Sequence, residues 1–171
     1  MKKITRIIAA LLVPAMLASL TACGGGETSG TGTTSSKVES NVSASAPADI
    51  TAKIMGDIKF PSMAEIKSDR LSTYYDVDAD KIEAFSAYIC GSGAYPDEIA
   101  VFKMKSADDV STVKSVLDKR VESQTTTFKD YTPDEMYKID GKNVIISGSY
   151  IALIICSDNA GATASFNSMT K

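Results

Sequence analysis

The sequence predicts an α+β domain: one mainly antiparallel four-stranded sheet with helices packed on it, in the order ααββαββα. Three observations lead there. Two pairs of short strand-like runs, each joined by turn residues, read as hairpins. A long amphipathic stretch from Ala107 to about Phe128 separates the pairs and reads as a helix. Tyr150-Ile151-Ala152-Leu153-Ile154-Ile155-Cys156 has no polar face, as expected of a strand covered on both sides. Two hairpins around one long helix place their apolar faces on a common sheet.

The domain begins near Pro47 and runs to Lys171. Ile50, Ile54 and Ile58 recur at i, i+4 and i+8, giving one apolar helical stripe that Pro61 stops. A short second helix is expected from Ser68 to Tyr75, with Ser68 as N-cap and Leu71 and Tyr74 facing inward. Lys81–Cys90 follows as a strand with Phe85, Ala87 and Ile89 on one face. In the next strand, Glu98–Lys105, Ala100, Phe102 and Met104 alternate with Ile99, Val101 and Lys103. Gly91-Ser92-Gly93 and Tyr95-Pro96-Asp97 make the loop between them. Ser106 caps the long helix, Asp108 and Asp109 fall in its positive first turn, and Val110, Val113, Leu117 and Val121 form its stripe. Tyr131-Thr132-Pro133-Asp134 breaks it, ahead of one short turn through Met136. Asn143–Ser147 and Tyr150–Cys156 form a second hairpin about Gly148-Ser149. Asp158 then caps a last helix on which Ala162, Phe166 and Met169 share a face.

Residues 1–22 read as a lipoprotein signal peptide. Lys2, Lys3 and Arg6 precede an apolar run, Ile7 to Leu20, that is short for a membrane span. Leu20-Thr21-Ala22 supplies a small-residue cleavage site immediately before Cys23. Cys23 is the expected lipidation site, and several acyl chains make such an anchor stable where one is marginal. Residues 23–46 are rich in Gly, Ser and Thr with few apolar groups, a flexible spacer with an r.m.s. reach of roughly 25 Å. The expected location is therefore the outer face of the cell membrane.

Charge and composition exclude several function classes. Removing residues 1–22 takes away three cations and no acid, moving the formal charge from −3 to −6. An acidic chain is a poor match for nucleic acid, whose phosphates call for clustered Lys and Arg. Histidine is absent, which removes Ser-His and Cys-His nucleophile pairs and the commonest catalytic zinc spheres. No cofactor is implied. Cys90 and Cys156 admit one disulfide or two small buried apolar residues at strand ends.

Two constellations bear on chemistry. Asp76, Asp78 and Asp80 alternate as calcium-loop ligands do, but Lys81 and Ala87 stand where an EF-hand-type loop needs Gly and Glu. A solvated connector accounts for them better. Arg120 and Gln124 lie one helical turn apart beside the apolar stripe, and Glu98 is the carboxylate placed to meet an inward guanidinium. Either these residues form a fold-specific ion pair, or Arg120 and Tyr131 line an anion-binding pocket. For a serine nucleophile the only conceivable base is lysine, and Ser111-Thr112-Val113-Lys114 has the spacing but falls on a surface stretch.

The Leu-Thr-Ala-Cys run, the polar spacer, Glu98-Ile99-Ala100-Val101-Phe102, Arg120 with Gln124, Tyr131-x-Pro133 and Gly148-x-Tyr150 form a series. Over residues 48 to 168 it resembles a family of small lipoproteins of Gram-positive, largely anaerobic bacteria, known as a domain of unknown function. The resemblance implies a location and a compact α+β domain, and brings no activity or catalytic residue with it. The expectation is a non-catalytic, membrane-anchored binding domain for a peptide, glycan or protein. The alternatives are a cell-envelope hydrolase or transferase using carboxylates or Ser/Lys, and a weak calcium-binding module.

Overall fold

A computed structural model describes residues 45–139 and 143–171; Cys23, the signal peptide and most of the spacer lie outside the described residues. The chain runs α1 (Pro47–Asp57), β1 (Met63–Glu65), α2 (Leu71–Tyr74), β2 (Ile82–Cys90), β3 (Glu98–Met104), α3 (Val110–Tyr131), β4 (Val144–Ser147), β5 (Tyr150–Ile155) and α4 (Asn159–Met169). All strand pairs are antiparallel and the sheet order is β1-β2-β3-β5-β4. The two expected hairpins are β2–β3 and β4–β5, and β3 joins them by pairing with β5.

The sheet therefore has five strands where the sequence suggested four. The added strand, Met63-Ala64-Glu65, pairs with Tyr88–Cys90 at the sheet edge. Three residues without β-branching or alternation give no periodic signal; the exposed edge of β2 supplies the hydrogen-bond partners that make them a strand. Two helix boundaries also differ. α1 ends at Asp57, the residue whose carbonyl the Pro61 ring would strike if the helix continued. Ser68 opens a tight 3₁₀ turn and does not cap α2; Tyr75, just past that helix, is buried where Tyr74 was expected.

Alternation along the strands divides the core into two layers. Ala100, Phe102 and Met104 of β3 with Ile151, Leu153 and Ile155 of β5 face Val110, Val113, Leu117 and Phe128 of α3. Ile99, Val101, Ala152 and Ile154 point the other way, onto Ile50 and Ile54 of α1 and Ala162 and Phe166 of α4. Every residue of β5 is buried, as its unbroken apolar sequence requires. The result is a helix–sheet–helix sandwich, with α3 and the short α2 on one side and α1 and α4 on the other.

The ends of these elements are set locally. Ser106 accepts from the Asp108 N–H at 3.2 Å at the entry to α3. Asp158 accepts from the Gly161 N–H at 2.8 Å at the start of α4, and Gly161 has no room for a β-carbon because the Asp158 carboxylate fills that space. Gly148 adopts φ 56° in the β4–β5 turn, a left-handed value glycine tolerates without strain. Among the described residues, no helix is long and apolar enough to cross a membrane.

Candidate functional site

β3 begins with two adjacent carboxylates, Asp97 just before the strand and Glu98 as its first residue. Side chains of successive strand residues point to opposite faces. The two acids are thus buried back to back, 2% and 0% exposed, and each draws a different cation.

Glu98 faces α3. Arg120 donates through Nε to both carboxylate oxygens at 3.1 Å and through Nη2 to Oε2 at 2.8 Å. Gln124 Nε2 donates to Oε2 at 2.6 Å, and the Tyr75 hydroxyl donates to Oε1 at 2.7 Å. The structure brings together Glu98, Arg120 and Gln124, adds Tyr75, and leaves Tyr131 out. Tyr131 lies three helical turns beyond Arg120, roughly 16 Å along the axis, and is largely exposed beside Phe128. Burial and the neighbouring Glu98 push the Tyr75 hydroxyl well above its ordinary value, so it stays a donor. Burial alone would lower the Arg120 pKa, but the bonds and charge of Glu98 outweigh it and raise it. Five donated hydrogen bonds occupy the carboxylate, so this cluster has little capacity left for a ligand.

Asp97 faces the opposite way, toward the short 3₁₀ helix Pro133–Lys138. Lys138 Nζ donates to Asp97 Oδ2 at 2.7 Å and forms an ion pair with Glu135 Oε2 at 2.6 Å. Its ammonium also lies 5.4 Å from the centroid of the Tyr95 ring. Burial pushes the Asp97 carboxyl above its ordinary value, against the opposing pull of Lys138. Burial works to lower Lys138, but its bonds to the two carboxylates raise it, so it stays an ammonium. Asp97 Oδ1 is buried with no hydrogen-bond partner. An unsatisfied buried acceptor costs about 1–3 kcal/mol. These residues border an open cleft of about 340 Å³, walled in part by Phe60 and Tyr95.

Sequence reasoning missed this second cluster. Tyr95-Pro96-Asp97 carries turn chemistry and reads as loop. The one available signal is the adjacent Asp97-Glu98 pair at a strand entry, since neighbouring strand residues cannot both face solvent in a covered sheet. Lys138 gives no sequence cue at all.

The remaining candidates are dispersed. Asp78 accepts from the Asp80 N–H at 3.0 Å, capping the turn into β2, and Lys81 pairs with Asp109. Among the described residues, no three His, Cys, Asp or Glu side chains converge on a metal position. Cys90, the last residue of β2, and Cys156, just after β5, are free thiols, one on each side of β3. Two strand spacings put them roughly 9.5 Å apart, beyond the Cα reach of a disulfide. Burial pushes the Cys156 thiol up to about 11.

Residues 56–156 match the model of a domain of unknown function, DUF4358. The chain belongs to that family. No curated protein and no solved structure matches it. The DUF4358 span holds all five strands and α3, and with them both carboxylate clusters. It stops short of α4 and takes in only the last two residues of α1.

Proposed function

We propose that the protein is a lipid-anchored, non-catalytic binding domain on the outer face of the cell membrane. The observation that carries the location is Leu20-Thr21-Ala22-Cys23 behind a cationic, apolar leader. Cys23 is the acylated residue, residues 23–46 are the tether, and the partner is a peptide, glycan or protein of the envelope. Small acidic charge gives no electrostatic hold on anionic lipid, so the acyl chains supply the attachment.

The geometry supports binding over catalysis. Asp97 and Glu98 project to opposite faces of the sheet and cannot act as acid and base on one substrate. Lys138 is held protonated between two carboxylates, which removes it as a general base. Cys156, with its thiol at about 11, carries almost no thiolate at neutral pH.

Metabolic labelling with an alkyne-tagged fatty acid in a bacterial host tests the anchor. The wild-type chain is expected to take up label and partition into detergent, and Cys23→Ala to lose both. An unlabelled wild-type chain would remove the lipoprotein reading. Turnover of a cell-wall or peptide substrate, abolished by a point change, would remove the non-catalytic one.

A further inference from the structure

We infer that the cleft beside Asp97 and Lys138 binds one ring of a neutral saccharide. This rests on the reading of the protein as a binding domain and names the ligand class for it.

The first ground is the unpartnered acceptor. Asp97 is 2% exposed, lines the cleft, and holds Oδ1 buried without a donor while Oδ2 is bound to Lys138. The missing partner is a donor, and a hydroxyl is the group that donates to a carboxylate and accepts from an ammonium at once. The second ground is charge. Asp97 and Glu135 are balanced by Lys138 and Lys59, all four lining the cleft. An anion placed there meets two carboxylates and a cation meets two ammonium groups, so a neutral polar molecule fits best. The third ground is the wall. Tyr95 is 43% exposed, and its ring borders the Lys138 ammonium. An exposed aromatic face beside a polar floor matches the C–H face and hydroxyl edge of a sugar ring. At about 340 Å³ the cleft stands at the small end of ligand pockets, room for one ring and not for an extended peptide.

Ligand-observed NMR on the full chain in detergent micelles tests the assignment, with glucose, galactose and N-acetylglucosamine as probes. Putrescine, triglycine and inorganic phosphate serve as charged or peptidic comparators. Saturable millimolar binding of at least one sugar is expected, weakened tenfold or more by Asp97→Asn, which turns the acceptor into a donor. Tyr95→Ala, at an exposed position that leaves the core untouched, is expected to weaken it similarly and decides the matter if Asp97→Asn fails to fold. Absence of sugar binding, sugar binding indifferent to Tyr95→Ala, or preference for a comparator would each overturn the assignment. Any of these would leave the fatty-acid labelling and turnover results, and hence the anchored binding domain, where they stand.

Discussion

Two neighbouring residues, Asp97 and Glu98, organise the polar interior from opposite faces of one strand. Glu98 is fully satisfied, whereas Asp97 is satisfied on one oxygen only. Glu98→Gln leaves the Arg120 guanidinium without its counter-charge, and about 3 kcal/mol of stability should be lost. That figure is the low end for breaking a buried pair, because the Arg120 side chain is 21% exposed and water screens it. Replacing Glu98 and Arg120 together by Met should recover part of the loss, since the Tyr75 hydroxyl and the Gln124 amide are left without their acceptor. Urea denaturation of Glu98→Met, Arg120→Met and the double variant closes the cycle. A loss in the double variant equal to the sum of the two single losses would show that the pair is not a coupled unit. Lys138→Met should behave differently with pH. Removing the ammonium takes away what opposes burial, so the Asp97 carboxyl rises further above 3.8. A carboxyl raised in the folded state stabilises below its unfolded value, and that contribution is lost as pH rises through the folded value. The variant should therefore lie close to wild type near pH 4 and fall about 3 kcal/mol behind by pH 7 in thermal melts. A deficit independent of pH would contradict this account.

At the scale of elements, residue periodicity and end signals were reliable where the element is long. The α3 stripe of Val110, Val113 and Leu117, the Ser106 and Asp158 caps and both hairpins follow from spacing and turn chemistry alone. The short pieces were not legible. β1 exists because the edge of β2 offers unpaired backbone groups, and Tyr75 turns inward because its hydroxyl meets Glu98 across 23 residues of chain. Local stability should follow the same division. β3 and β5 are paired on both edges and covered on both faces, while β1 and β4 are edge strands of three and four residues. Native-state hydrogen exchange should protect the amides of Ile99–Phe102 and Ile151–Ile154 at least about 100-fold more than those of β1. Equal protection in β1 would mean that the edge strand opens only with the whole domain.

For the molecule as a whole, the sequence by itself determined the α+β class, the two hairpins, the doubly covered β5 and the residues of each apolar stripe. These depend on periodicities of 2.0 and 3.6 that the chain writes locally. It also carried the Leu-Thr-Ala-Cys signal, on which the proposed location depends. Of the candidate site it named Glu98, Arg120 and Gln124, because a guanidinium and an amide one turn apart beside an apolar stripe need an inward carboxylate. It grouped Tyr131 with them because the helical pattern ends near Phe128; the structure carries α3 on through Tyr131, which fixes that residue roughly 16 Å from Arg120 along the axis. Only the tertiary structure decided that the sheet has five strands, that α3 and α2 share one face of it, and that Asp97 meets Lys138, itself paired with Glu135. The reason is physical. Those pairings join groups about 40 residues apart, and a buried charge finds its partner through the packing of whole layers, which no local pattern encodes.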